Sequence, residues 1–131
     1  MEAEKKDILA IHEQQRKAHF EKNARLLLGD SSSDYIEINR GVVKSPSYTE
    51  SLTKFESYFN AVDFLNWDDA APPIISFSDD ATMATVVVEK FVVVRNKTEN
   101  NKIDTSHYAW LAIFKKANGK WQLHRMGSTN K

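Results

Sequence analysis

The sequence predicts an α+β fold: a curved antiparallel sheet wrapped around amino-terminal helices, with a hollow between the two layers. Helical periodicity is confined to the first 60 residues. From Ile74 onward the chain is a β-branched series punctuated by tight-turn signals. Helices first and strands last place the helices on one face of the sheet. The stripe of the first helix then suggests the hollow. Ile8, Ile11, His12, Gln15, His19, Lys22 and Leu26 fall in one sector of about 100°. The ends of that stripe are apolar and its middle is polar, as expected of a helix roofing a cavity. Residues 1–131 suit one domain with one core.

The first helix is expected over Glu2 to Leu28. Acidic Glu2, Glu4 and Asp7 precede basic Lys17, Lys22 and Arg25, the sense its dipole favours. Gly29 is the expected stop. A polar turn, Asp30 to Asp34, leads to a strand over Asp34 to Arg40. There Ile36 and Ile38 share one face, and Tyr35, Glu37 and Asn39 the other. Gly41 to Tyr48 reads as a loop. A second helix spans Thr49 to Asn60, capped by Ser47 or Thr49. Val62 to Trp67 is ambiguous, and Asp68 to Pro73 is a break, because two prolines do not fit a central strand.

Ile74 to Ser78 is a short strand turned by Asp79-Asp80. Thr82 to Arg95, apolar on both faces, is expected to be central and covered on both sides. Asn96 to Asp104 is a polar connection. Thr105 to Lys116 and Lys120 to Ser128 are strands joined by a hairpin at Asn118-Gly119.

Composition excludes several functions. The 18 basic and 18 acidic residues balance, so no basic surface recommends a nucleic-acid partner, and self-association is not opposed. The lack of cysteine removes thiolate chemistry and Cys-type metal sites. No run reaches the ~18 apolar residues of a membrane span, so no membrane partner is expected. No signal-like start follows Met1, which predicts the cytoplasm. Removal of a leader before Met1 would instead predict a periplasmic or secreted protein. Four glycines form no phosphate-cradling loop, and no metal or cofactor motif is present.

Several stretches together resemble the nuclear-transport-factor-2-like superfamily, in its SnoaL-like and ketosteroid-isomerase-like branch. They are His19-Phe20-Glu21-Lys22-Asn23, Asp34 through Gly41, Thr49-Glu50-Ser51-Leu52, and Asn118-Gly119-Lys120-Trp121-Gln122-Leu123. The resemblance spans nearly the whole chain and implies a cystatin-like cone around an apolar pocket, often dimeric through the outer sheet face. It also implies isomerase, dehydratase, cyclase or purely binding roles. The isomerase residues do not carry over. The family's aspartate falls on Asn39, its tyrosine near Gln15 and its later acid near Leu111. Asparagine is no proton-transfer base, and leucine donates no hydrogen bond.

The first expectation is therefore a binder of a small apolar or aromatic molecule. His12, Gln15, Tyr35 and Asn39 would orient the ligand, and Phe55, Phe59, Trp67 and Trp110 would supply contact area. His124 either lines the pocket or sits at a dimer surface. The plain alternative for the aromatics is core packing. The second expectation is an isomerase or lyase with His19 and Glu37 as acid and base. The third is a non-catalytic interaction domain, favoured by a solid interior. His12 and His19 lie ~10 Å apart along the helix, too far to share a metal at ~2 Å. His107, Ala109, Leu111 and Ile113 alternate with Tyr108, Trp110, Ala112 and Phe114. One face must meet the helices; the other would expose Tyr108 and Trp110 unless something covers it, which predicts a homodimer through the sheet.

Overall fold

The computed structural model describes residues 2–131. Helix α1 is Glu2–Phe20 and α2 is Ala24–Leu28. The expected single helix thus breaks in two. Lys22 takes a positive φ of 56°, and Asn23 starts a new helix by accepting a hydrogen bond from the Leu26 N–H at 3.0 Å. Gly29 is the C-cap of α2, the stop expected, and takes a right-handed conformation there. Gln14 ties the two helices by donating to the Leu26 carbonyl and to Asp30.

Strand β1 is Ser31–Asn39, so the expected polar turn is already sheet. It pairs in parallel with β6, Lys120–Asn130, the carboxy-terminal strand. Arg40 and Gly41 follow with φ of 51° and 78°. Positive φ at both positions makes a primed hairpin turn into β2, Val42–Lys44, where a loop was expected. Helix α3 is Tyr48–Ala61. Ser47 is its cap: the Glu50 N–H donates to Ser47 Oγ, and the Ser47 N–H donates to the Glu50 carboxylate.

Strand β3 runs unbroken from Val62 to Phe77. The expected break at Asp68 to Pro73 is instead a pair of register shifts, between Asp69 and Ala71 and between Ala71 and Ile74. Prolines are tolerated here because β3 is an edge strand with a free side. Strands β4, Met83–Asn96, and β5, Lys102–Ala117, complete a curved, open six-stranded sheet ordered β2-β1-β6-β5-β4-β3. All neighbours but β1 and β6 are antiparallel.

The helices cover one face. Beneath them Ile8, Val86, Val88, Phe114, Trp121 and Leu123 form one core cluster. Phe59, Val62, Phe64, Trp67, Val92 and Val94 form a second. Trp110 packs against both and Tyr108 against the second, so the aromatic side of β5 meets the helices. The uncovered side carries an aliphatic row, flanked by polar and charged residues such as Thr85, Glu89 and Arg125. Register aligns Ile74, Val87, Leu111, Gly127, Ile38 and Val43 into a transverse row with one residue from each strand. Its five side chains are 41% to 67% exposed. Among the described residues no helix is long and apolar enough to cross a membrane.

Candidate functional site

The polar middle of α1 faces inward and is enclosed. His19 is buried, and its ring stacks on Trp67 at 3.8 Å and 17°. Phe59 and Phe64 meet it edge-on, each at 5.2 Å. Its Nδ1 lies 2.7 Å from the Gln15 carbonyl, which only accepts, so the Nδ1–H donates. Burial drives the His19 pKa down to about 4, with the charge of Lys90 acting in the same sense. His19 is therefore neutral at pH 7.

Beside it lies a group that the sequence reading did not name. Lys90 is 1% exposed, and its Nζ donates to Asp69 at 2.9 Å while sitting 4.1 Å from the Trp67 ring. His12 Nε2 contacts both Asp69 oxygens, at 2.9 and 3.0 Å. Burial raises the Asp69 pKa, but hydrogen bonds from Lys90 and His12 outweigh it and hold the carboxyl below its ordinary value. The ionised carboxylate therefore accepts a hydrogen bond from the His12 Nε2–H. One turn further along α1, Arg16 Nε donates to Asp68 at 2.6 Å. Two consecutive carboxylates on β3 thus grip two residues of α1 spaced by four.

One signal in the sequence points to Lys90. Its position has the parity of Val86, Val88, Val92 and Val94, all of which are buried. A lysine on that face must meet a counter-charge.

The expected hollow between α1 and the sheet is filled. A void of about 10 Å³ remains among Ile8, His12, Gln15, Val88, Trp110 and Phe114. That is room for about one water and is far below the ~300–1,000 Å³ of ligand pockets. The cause is the aromatic set itself. Phe55, Phe59, Trp67 and Trp110 pack on one another or on His19, so an apolar ligand finds no space among them.

The remaining candidates lie elsewhere. Tyr35 is half-buried against the first core cluster, and burial together with the charge of Glu37 pushes its pKa up. Glu37 is 3.6 Å from Lys54 of α3. With Asn39 it lines a groove of about 320 Å³, walled by Arg40, Lys44, Lys54, Tyr108 and Asn130. His19 and Glu37 therefore belong to different places, and no hydrogen bond joins them among the described residues. His124 pairs with Asp34 at 3.3 Å, away from both the void and this groove. Leu111, the position aligned with the family's later acid, lies on the uncovered sheet face. A shallow furrow of about 620 Å³ along the solvent side of α1 passes Glu13, Arg16 and Phe20 and includes none of the expected site residues. No group of metal-ligating side chains gathers among the described residues.

No family profile matches the chain, and no curated protein matches it by sequence. Solved structures do match. A nuclear transport factor 2-like superfamily protein from Salmonella enterica superposes with a TM-score of 0.80 at 10% identity, covering 98% of this chain and 91% of that one. A ketosteroid isomerase-like protein from Erwinia carotovora gives 0.73 at 20% identity, covering 95% and 93%. A protein from Exiguobacterium sibiricum, provisionally described as a calcium/calmodulin-dependent kinase II association domain, gives 0.74 at 14% identity, covering 95% and 91%.

Proposed function

We propose that this chain, which has the nuclear-transport-factor-2-like fold, is a non-catalytic association domain that pairs its uncovered sheet face with a second copy of itself. The observation that carries this reading is the aliphatic row from Ile74 to Val43 across all six strands. Six strands at ~4.8 Å spacing make it about 24 Å wide. The face is narrowest at β2, which extends only one residue either side of Val43, and longer over β4 and β5. A β-carbon built at Gly127 would have open space around it. The glycine thus leaves a notch between Leu111 and Ile38 that an aliphatic side chain of the facing copy can enter. Knob and notch in one row make the face self-complementary about a two-fold axis. Zero net charge does not oppose the pairing. The association-domain description of the Exiguobacterium structure is consistent with this use of the fold. The packed interior gives no support to an apolar ligand, and the reading assigns no reaction to His19 or Glu37.

Sedimentation equilibrium of the full chain at tens of micromolar should give twice its 15.0 kDa mass. Leu111→Glu should return the monomer with an unchanged far-UV spectrum. Val43→Glu, at the most exposed position of the row, repeats the test where folding is least at stake. A wild-type chain at 15.0 kDa, or variants as dimeric as wild type, would refute the proposal.

A further inference from the structure

The β1–β2 hairpin has two faces with different chemistry. Ile38 and Val43 pair on the uncovered side, while Glu37 opposite Lys44 and Asn39 opposite Val42 look into the groove of about 320 Å³. We propose that this groove binds a small hydroxy acid, its carboxylate on Arg40 and Lys44 and its hydroxyl between Glu37 and the carboxamides of Asn39 and Asn130.

Charge is the first support. Three cations, Arg40, Lys44 and Lys54, face one carboxylate, Glu37. Glu37 is matched by Lys54 at 3.6 Å. Among the described residues neither Arg40 nor Lys44 enters an ion pair, so two positive charges are left for a ligand. A guanidinium and an ammonium suit a carboxylate, the guanidinium through paired N–H donors.

The second support is backbone. The hairpins at 40–41 and 118–119 are the same turn, with φ of 51° and 78° in one and 53° and 79° in the other. The second places asparagine at its first position, a residue that tolerates the left-handed region. The first holds arginine there, against the steric preference of a side chain with no local hydrogen bond to offer. Residues kept in such conformations concentrate where they do a job. Here the turn places Arg40 in the groove wall.

The third is the polar rim. Tyr108 and Asn130 are cross-strand partners on β5 and β6, so sheet register fixes a phenol and a carboxamide side by side. With Asn39 opposite, the groove offers uncharged donors and acceptors at a fixed spacing, which suits a hydroxyl next to an acid. Its volume lies at the lower end of the range for small-molecule sites.

The full chain, labelled with ¹⁵N, would be titrated separately with mandelate, with mandelamide and with inorganic phosphate. Mandelate should shift the amides of Glu37, Arg40, Val42 and Asn130 saturably. Mandelamide should bind at least about tenfold more weakly, for want of the charge-assisted pair. Arg40→Asn retains a residue suited to the turn and should weaken mandelate by about tenfold. Equal binding of acid and amide, an undiminished Arg40→Asn, shifts confined to other surfaces, or none at all would each overturn the proposal. Phosphate binding as tightly as mandelate would overturn the hydroxy-acid assignment in favour of a bare anion site. Because the groove and the aliphatic row occupy opposite sides of the hairpin, the outcome does not depend on whether the chain dimerises.

Discussion

Replacing Asp69 by asparagine isolates the electrostatic core of the molecule. The substitution keeps shape and leaves an oxygen to accept from His12, but it removes the negative charge beside Lys90. That ammonium is 1% exposed and 2.9 Å from Asp69. Breaking a buried pair from one side costs about 3–5 kcal/mol, most of it from the charge left behind. The Asp69 side chain is 29% exposed, so water screens part of that loss, and the Trp67 ring 4.1 Å from Nζ offsets a little more. The expected destabilisation is therefore about 2–3 kcal/mol. With a urea m-value of ~1–3 kcal/mol/M, the unfolding midpoint should fall by about 1.5 M. The partner substitution decides whether the pair is responsible. Lys90→Met alone leaves Asp69 partly solvated and should cost less than Asp69→Asn. Combining the two should recover most of the stability, since an apolar replacement of a buried ion pair is often neutral or better. A midpoint for Asp69→Asn within about 0.3 M of wild type, or additive losses in the double variant, would refute the picture of Lys90 as a charge held only by that carboxylate.

Two further outcomes follow from local structure. The His19 pKa is depressed to about 4 by burial, against ~6.5 in the unfolded chain. Its contribution is complete above pH 6.5 and is lost as pH falls toward 4, because only the unfolded chain then takes up the proton. The change amounts to about 3 kcal/mol, and His19→Phe, which keeps a ring against Trp67, should flatten that part of a stability–pH curve measured by urea unfolding. Ser47→Ala removes the α3 capping box and should lower stability by about 1 kcal/mol in the same assay.

The fold was legible because it is written in periodicity. Val86, Val88, Val92 and Val94 alternate onto the helix side of β4, and Leu52, Phe55 and Phe59 recur at helical spacing on α3. What sequence could not supply was which of two apolar faces the helices cover. On β5 both faces are apolar, and only the sheet's partners decide that Tyr108 and Trp110 turn in and Leu111 turns out. Edge position likewise decides whether Pro72 and Pro73 end a strand or merely shift its register. The polar stripe on α1 was read correctly as inward-facing. The groups that meet it, Asp69 and Lys90, lie more than 50 residues away in sequence, so the stripe alone could not distinguish a hollow from polar contacts to the sheet. Arg40 escaped notice because its turn was read as an open loop.

The parallel seam between β1 and β6 joins residues about ninety positions apart, from Ser31 against Leu123 to Asn39 against Ser128. A chain emerging amino-terminus first cannot seat β1, nor the hairpin it carries, until β6 has been made. The antiparallel run β3–β4–β5–β6 assembles from local turns and has no such delay. Docking of the first 44 residues is thus expected as the closing event of folding. An interruption of synthesis inside β6 would strand the helices beside a four-stranded sheet whose inner edge is still open.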